Sequence, residues 1–287
     1  MNFRTDMADE RLEIHRSNIR NKEINGIIFN NKKINDNLSE NIVTIVNDEG
    51  SKLIGKAKGK YITLEIKNIE MINKKEIEEI EKELVVLLKE FVRNNKSILV
   101  VGLGNAETTA DSLGPKVVQN LKITRHLFKY LPELVEREEV ELSAIAPGVL
   151  GTTGIETKDI ISGIVEKIKP GCIIVIDAII SNNITRILKT IQISNTGIVP
   201  GSGVGNKRKE ISEETIGIPV ISIGVPTVVE ASTIVENVFD KLKIKNKSSQ
   251  IETALNSINS NVIVMPKDTD SIIDTLKSII ANSINSI

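Results

Sequence analysis

Residues 171–180 read GCIIVIDAII, an apolar and mostly β-branched run interrupted by a single aspartate. Similar runs occur at two other places, SILVVGLGN at residues 97–105 and IPVISIGV at residues 218–225. Strands with such continuous apolar sequences are covered on both faces, which is typical of parallel sheets. Helical patterns around residues 114–130 and 158–169 separate two of these runs. We therefore expect an α/β fold, a three-layer sandwich with a mostly parallel sheet.

The sequence before residue 74 has a different character. Short runs rich in Ile and Val alternate there with clusters of Asn, Asp, Gly and Lys, at residues 26–29, 41–46 and 61–66. This pattern predicts antiparallel strands joined by turns. From Lys74 to Asn94, apolar residues recur every three or four positions, which predicts an amphipathic helix. We therefore divide the chain into a strand-rich N-terminal region, residues 1–73, packed on an α/β core, residues 74–287.

The end of the chain predicts three more elements. Residues 226–242 read PTVVEASTIVENVFDKL and have the pattern of a helix. A strand is expected near residues 261–265, and a closing helix is expected from Thr269 onwards.

Composition excludes several classes of function. The 287 residues carry 37 Lys and Arg against 38 Asp and Glu, and only 2% are aromatic, so we expect no direct nucleic-acid partner. The apolar run 172–180 is half the length of a membrane span, so we expect no membrane partner. The first ten residues, MNFRTDMADE, lack the apolar stretch of a secretory signal. One cysteine cannot form an internal disulfide, and together these features predict a cytoplasmic protein.

Two acids lie where strands of the predicted sheet end. The loop GLGNAETTADSLGP, residues 102–115, carries Asp111, and Asp177 ends the apolar core of the run 171–180. Ligands bind beyond the carboxyl ends of parallel strands, where loops converge. If both carboxyl groups face one cleft, repulsion and burial raise the pKa of one and leave the other ionised, as in a general acid/base pair. The alternative is that Asp111 caps the following helix and Asp177 only bonds loop amides.

A glycine-rich stretch, TIQISNTGIVPGSGVGNKR at residues 190–208, forms another candidate loop. Its backbone amides are suited to an oxyanion, a phosphate or a peptide carbonyl, and a tight turn or a subunit contact is the alternative. Conventional nucleophiles fit poorly. Cys172 begins a buried run, and His15 and His126 belong to no metal-ligand spacing, so we expect no metal and no other cofactor.

Several long stretches together resemble one family, the spore germination proteases. They are RTDMADE at 4–10, GLGNAETTADSLGP at 102–115, TRHLF at 124–128, APGVLGTTGIET at 146–157, VIDAI at 175–179, the glycine-rich stretch at 190–208 and IPVISIGVPTVVEAS at 218–232. The resemblance implies an atypical, aspartate-type endopeptidase that degrades the small acid-soluble proteins coating DNA in the spore core. It also implies a homotetramer and a phosphorylase/hydrolase-like core similar to that of the hydrogenase maturation proteases.

The resemblance also implies roles for particular residues. The catalytic pair of the family falls on Asp111 and Asp177. One member, ionised, would take a proton from the attacking water, and the other would donate a proton to the leaving amide. Candidates for stabilising the oxyanion or binding the substrate loop are the amides of Gly104, Asn105, Gly201, Gly203 and Gly205. Family substrates are cut next to a glutamate, so a cationic subsite is expected, with Arg186, Lys207 and Arg208 as candidates.

Activation and two other functions stay open at this point. Family members carry a prosegment ahead of the RTD motif and are zymogens, whereas only Met1, Asn2 and Phe3 precede Arg4 here. One alternative function is a metal-dependent, maturation-type peptidase that acts on one dedicated partner, although no counterpart of the metal-binding histidine is found. The other is a scaffold that binds small spore proteins without cutting them.

Overall fold

The apolar runs of the sequence form one large sheet. In a computed structural model of the chain, the structure describes residues 5–18, 24–136, 139–201, 208–242 and 262–287. Within these ranges the strands are Ile27–Lys33 (β1), Leu38–Ile45 (β2), Gly59–Ile66 (β3), Ser97–Gly102 (β4), Glu141–Ile145 (β5), Cys172–Ile180 (β6), Thr190–Ser194 (β7), Val220–Glu230 (β8) and Ile263–Val264 (β9).

The helices of the same ranges differ widely in length. They are Ala8–Asn18 (α1), Asp48–Ile54 (α2), Lys74–Val92 (α3), Leu113–Val118 (α4), Arg125–Tyr130 (α5), Leu150–Thr153 (α6), Thr157–Ile168 (α7), Glu213–Ile216 (α8), Ala231–Lys241 (α9) and Thr269–Ile284 (α10). None of these described helices combines the length and the apolar character that crossing a bilayer requires.

The sheet is mixed, with the strand order β1-β2-β3-β7-β8-β6-β4-β5 and with β9 paired to β8. Strands β5, β4, β6 and β8 run parallel, whereas the other pairings are antiparallel. The expectation of a mostly parallel sheet is therefore wrong, although an α/β fold is confirmed. Residues 181–189 alone connect β6 to β7, and this is shorter than a parallel crossover requires, so β7 runs back antiparallel.

Helices pack against apolar side chains that alternate along the strands. In β4, Ile98 and Val100 belong to a cluster with α3, α4 and α10, whereas Leu99 and Val101 belong to a separate cluster with α7. A third apolar cluster joins α1 and α2 to β2 and β3. Strands β1–β3 continue the sheet of the core through β7, and the three-layer sandwich and the boundary between residues 73 and 74 stay predictions.

The helix α3 follows directly from its sequence. Asn73 accepts a hydrogen bond from the backbone N–H of Glu76, and the Glu76 side chain accepts one from the N–H of Asn73, which is a capping box. The buried residues of α3 recur every three or four positions, at Ile80, Leu84, Leu87, Leu88 and Val92. The predicted helix 74–94 and the closing helix from Thr269 are thus confirmed.

Three interpretations of the sequence are wrong in part. Residues 226–230 continue β8 instead of beginning a helix, because Val228 pairs with Ile180 and Val229 pairs with Val264 in neighbouring strands. The helix expected around residues 114–130 is two short helices, α4 and α5. Strand β7 occupies the start of the stretch interpreted as a glycine-rich loop, and all five of its residues are buried.

Candidate active site

A cavity of about 460 Å³ lies at the carboxyl ends of the parallel strands. The ends of β6 and β8 line it, together with the loops that follow β4 and β5. This is the edge where loops converge and where helix N-termini and strand ends leave space for a ligand. Asp111 and Asp177 both line this cavity, so the structure brings the two sequence-predicted acids together.

Asp177 is held inside the sheet. It lies in β6 opposite Gly224 of β8, and only 6% of its surface is exposed. Burial raises the pKa of the Asp177 carboxyl well above its usual value, the charges of Asp111 and Asp6 raise it further, and a hydrogen bond from the Ala178 backbone opposes the shift. This environment favours the protonated form of the Asp177 carboxyl group.

Asp111 is less buried than Asp177 and lies at the end of the short 3-10 turn Thr109–Asp111. Its Oδ2 atom accepts the backbone N–H of Asn105 over 2.8 Å. Burial raises the pKa of Asp111, and the Asn105 N–H lowers it. The side chain therefore bonds a loop amide, whereas the helix α4 has Ser112 at its N-cap, so the helix-capping alternative for Asp111 is wrong.

Gly104 fixes the shape of this loop. Its φ angle is +108°, and a Cβ atom there would lie 2.1 Å from the backbone oxygen of Asp111. Only glycine tolerates this conformation and this close approach. Gly104 lines the cavity, whereas the N–H of Asn105 is already engaged by Asp111.

Asp6 is a third acid at the cavity, and sequence reasoning assigned it no role. Asp6 belongs to RTDMADE, one of the stretches that carry the family resemblance, and this is the sequence feature that could have drawn attention to it. Its backbone N–H donates to the carbonyl oxygen of Ile180 over 3.1 Å, and its Oδ2 atom accepts the N–H of Ile180 over 3.3 Å. These two bonds join the start of the chain to the end of β6, three residues beyond Asp177.

The glycine-rich stretch forms one wall of the cavity. Ile198 and Ile211 exchange two backbone hydrogen bonds of 2.9 Å, which closes a long excursion of the chain. Gly201 and Arg208 lie between these two residues in the chain, and both line the cavity. The remaining candidates of this stretch, Gly203, Gly205 and Lys207, lie outside the described residues.

Arg186 lies away from the cavity. Its guanidinium forms ion pairs with four acids, at 3.4 Å from Asp9, 3.7 Å from Glu10, 2.8 Å from Glu13 and 3.0 Å from Glu65. The side chain is 11% exposed. Arg186 thus connects α1 to β3 and does not line the cavity that holds the two aspartates.

A second cavity of about 360 Å³ adjoins the first. Asp6 and Ile179 line both cavities. The second cavity is polar, and Lys56 lines it. Burial lowers the pKa of this lysine to about 8, whereas the charge of Asp6 opposes the shift. Sequence reasoning had not selected Lys56, because it lies in a stretch of ordinary surface composition.

The described residues also bear on metal binding and on a thiol nucleophile. Among the residues described, no group of three or more His, Cys, Asp or Glu side chains has the geometry of a metal site. Cys172 is fully buried in β6, and burial raises the pKa of its thiol to about 12. A thiol in this setting is inert at neutral pH.

Comparisons with known proteins identify the relatives of this chain. A family model described as germination protease matches residues 4–243, a range that contains Asp6, Asp111 and Asp177. The chain belongs to the germination protease family. The resemblance inferred from the sequence motifs is thereby confirmed, and the family consists of hydrolases that cut proteins.

Several germination proteases are similar over most of their length. That of Clostridium perfringens strain ATCC 13124 is 40% identical, and the match covers 99% of this chain and 94% of the relative. That of Bacillus subtilis strain 168 is 38% identical over 99% and 92% of the two chains, and that of a Geobacillus species is 50% identical over 83% and 66%. Among solved structures, a NiFe hydrogenase maturation protease from Thermococcus kodakarensis matches with 15% identity and a TM-score of 0.36, over 69% of this chain and 98% of the other.

Proposed function

We propose that this member of the germination protease family is an endopeptidase that initiates the degradation of small acid-soluble spore proteins during germination, with Asp111 and Asp177 as its general acid/base pair. The observation that carries the proposal is the meeting of these two carboxyl groups in one cavity at the strand ends. Family membership supports proteolysis as the reaction. The other two functions considered from the sequence have no specific observation in their favour.

We base the proposed roles of the two acids on their different surroundings. Burial and the charges of Asp111 and Asp6 raise the pKa of Asp177 well above its usual value, so Asp177 is the proposed protonated member. Burial raises the pKa of Asp111 while the Asn105 N–H opposes the shift, so Asp111 is the proposed ionised member. Asp111 takes a proton from water as the water oxygen bonds to the scissile carbonyl carbon. Asp177 then donates its proton to the leaving amide nitrogen, and the C–N bond breaks. Transfer of a proton from Asp111 to Asp177 through solvent restores the starting state.

The walls of the cavity supply candidates for the remaining roles. The backbone N–H groups of Gly104 and Gly201 are our candidates for stabilising the oxyanion, since both residues line the cavity. Arg208 also lines it and is the candidate for an acidic side chain of the substrate. No bound metal or other cofactor takes part in the proposed reaction.

The proposal extends to assembly, location and control, as family membership suggests. We propose a homotetramer in the cytoplasm of the spore core, produced as a zymogen. Light scattering of the purified protein tests the tetramer, and comparison of the protein from developing and germinating spores tests activation.

The deciding experiment incubates the purified protein with a small acid-soluble spore protein in the presence of a chelator. Asp111→Asn and Asp177→Asn should each lower kcat by about 10²-fold to 10⁴-fold, the usual contribution of general acid/base catalysis. Asp36→Asn is a matched control, because Asp36 is an exposed acid in the turn between β1 and β2, and it should cut at the wild-type rate. Cleavage by both aspartate variants at the wild-type rate would rule out the paired-acid mechanism. Binding of the spore protein without cleavage by any form would indicate a scaffold.

A further inference from the structure

A threonine interrupts an apolar series in strand β8. Alternate residues of this strand belong to the apolar cluster with α3, α4 and α10, namely Ile221, Ile223, Val225 and Val229. Thr227 occupies the remaining position of the series, and it is 1% exposed. A buried hydroxyl group costs free energy unless it forms a hydrogen bond, whereas valine has nearly the same shape without that cost. The hydroxyl group of Thr227 therefore calls for a specific partner.

That partner lies next to a candidate catalytic acid. The Thr227 hydroxyl group donates to the carbonyl oxygen of Ala110 over 2.7 Å. Ala110 directly precedes Asp111, so this oxygen belongs to the peptide group that joins the two residues. The N–H of the same peptide group donates to the carbonyl oxygen of Thr108 over 2.8 Å. Because a peptide group is planar, holding both of its polar atoms fixes the direction in which the Asp111 side chain leaves the backbone.

The backbone around Thr227 is itself anchored. The pairing of β8 with β6 passes over Thr227, from Pro226 to Val228, as in a β-bulge. The carbonyl oxygen of Pro226 accepts the N–H of Leu188 over 2.7 Å, and the carbonyl oxygen of Val228 accepts the N–H of Ser181 over 3.2 Å. Bulges are frequent beside active sites, where they direct a side chain. A hydroxyl group on this anchored segment is suited to hold a neighbouring loop.

Strand β8 also holds the second acid of the pair. Asp177 lies opposite Gly224, in the regular part of the pairing between β6 and β8. Asp111 comes from the loop that follows β4, and the Thr227 hydroxyl group joins this loop to β8. Thr227 itself does not line the cavity that contains the two acids. The strand thus supports both carboxyl groups from behind the cavity wall.

We propose that Thr227 is a positioning residue of the active site, whose hydroxyl group holds the Ala110 carbonyl and thereby places the Asp111 carboxyl group relative to Asp177. This inference rests on the proposed function, in which the two acids act together on one peptide bond. A misplacement of about 1 Å in an active site can lower the rate by about 10²-fold. Loss of the hydroxyl group should therefore lower kcat and leave KM nearly unchanged, because Thr227 does not line the cavity.

Two substitutions separate the hydroxyl group from the shape of the side chain. Thr227→Val removes the hydroxyl group and keeps the shape, whereas Thr227→Ser keeps the hydroxyl group. Thr190→Val is the matched control, since Thr190 is also a strand residue with 1% exposure, and its hydroxyl group donates to the carbonyl oxygen of Arg186 over 3.1 Å. Thr190 lines neither cavity. Urea unfolding establishes that each variant is folded.

Cleavage of a small acid-soluble spore protein is the first readout. In Thr227→Val, kcat should fall about tenfold or more with little change in KM. Thr227→Ser and Thr190→Val should keep the wild-type kcat. A wild-type kcat in folded Thr227→Val, with Asp111→Asn inactive, would overturn the inference. An equal loss in Thr227→Ser would also overturn it, because the hydroxyl group would then not be the cause.

The second readout, amide hydrogen exchange of the full chain followed by NMR, does not depend on activity. The Asn105 amide is the reporter, since it donates to the Asp111 carboxyl group. In Thr227→Val its exchange should become about tenfold faster, beyond any change in the amides of β4, which report global unfolding. In Thr190→Val it should exchange at the wild-type rate.

The two readouts distinguish failure of the inference from failure of the proposed function. Unchanged exchange of the Asn105 amide in Thr227→Val would contradict the inference, whether or not the protein cuts a spore protein. Faster exchange of that amide, in a protein whose cleavage rate is the same with Asp111→Asn, would support the placement of Asp111 by Thr227 and contradict only the proposed function.

Discussion

Asn105 donates its backbone N–H to Oδ2 of Asp111 over 2.8 Å, and this bond holds the Asp111 carboxyl group against the loop that follows β4. A hydrogen bond to the charged form of a carboxylate favours ionisation, whereas burial and neighbouring acids favour the protonated form of Asp177. The position of the Asn105 amide depends on the loop conformation at the preceding residue, Gly104. The proposed division of roles between the two acids therefore depends on the loop conformation at Gly104.

Gly104→Ala should disable the site. The φ angle of +108° disfavours alanine, and the new Cβ atom would lie 2.1 Å from the backbone oxygen and 2.9 Å from Oδ1 of Asp111. Strain of this kind costs about 1–3 kcal/mol in free energy of unfolding. Relief of the strain moves Asp111, so kcat should fall at least about tenfold. Urea unfolding and steady-state cleavage of a spore protein measure the two effects.

Gly163→Ala is the matched control for this substitution. Gly163 is exposed in the interior of α7, and nothing lies within 4 Å of the position of its missing Cβ. Alanine in a helix interior stabilises by about 0.5–1 kcal/mol relative to glycine. Equal losses of activity in the two variants would show that Gly104 has no special part in placing Asp111.

The sequence predicts the parallel half of the sheet, because β4, β6 and β8 are continuous apolar runs that need cover on both faces. It does not predict β7, a five-residue strand beside a glycine-rich stretch. The partners of β7 are β3 and β8, and β3 lies more than 120 positions away along the chain. Local patterns carry no information on such pairings, so they do not predict that β7 joins the antiparallel strands β1–β3 to the parallel strands in one sheet.

The same limit applies to the site. Asp111 and Asp177 could be selected because each follows or ends a predicted strand, where ligands bind. Asp6 lies before α1, and only the tertiary contact with Ile180 brings it to the cavity. Arg186 is a candidate for the cationic subsite that cleavage next to a glutamate implies, yet its acidic partners come from α1 and β3, which are distant in sequence.

Arg186→Met should destabilise the fold without acting on substrate binding. The substitution leaves Asp9 and Glu10, both nearly fully buried, without their cation. Breaking a buried ion pair by removing one partner costs about 3–5 kcal/mol. Urea unfolding should therefore show a large loss in free energy of unfolding, while KM of the folded fraction stays at its wild-type value.

Lys33→Met provides the comparison for Arg186→Met. Lys33 pairs with Asp36 at the surface, where both side chains are largely exposed. Exposed ion pairs contribute about 0–1 kcal/mol, so the unfolding midpoint should hardly change. An increase in KM for Arg186→Met with unchanged stability would restore the interpretation of Arg186 as a substrate-binding residue.

Cys172 should be protected from thiol reagents in the folded protein. It is the only cysteine of the chain, it is fully buried in β6, and its pKa is raised to about 12 by burial. Because the thiolate is the reactive form, iodoacetamide at pH 8 should leave the native protein unlabelled and fully active. Mass spectrometry should detect one adduct only after unfolding in urea. Labelling of the native protein with loss of activity would indicate a reactive thiol.

Glu10 should make stability depend on pH near neutrality. Glu10 belongs to α1, and its carboxyl group is buried. The carboxyl group accepts hydrogen bonds from the hydroxyl groups of Thr5 and Ser181 and from the backbone N–H of Asn182, the last over 2.8 Å. Burial raises its pKa from 4.5 to about 7, although these bonds and the charge of Arg186 lower it. The folded state therefore binds more protons than the unfolded state between those two values.

The sign of the effect follows from this difference in protons. The contribution of Glu10 to stability is complete below pH 4.5 and is lost as the pH rises through about 7, by roughly 3 kcal/mol at about 1.4 kcal/mol per unit. Glu10→Gln mimics the protonated form, and its amide can donate to Ser181, which in turn donates to the Asn183 carbonyl. Urea unfolding at pH 5 and pH 7.5 should give a smaller decrease for Glu10→Gln than for the wild type. Glu133→Gln, at an exposed residue, should leave the wild-type decrease unchanged, and an equal decrease in Glu10→Gln would mean that Glu10 is ionised throughout this range.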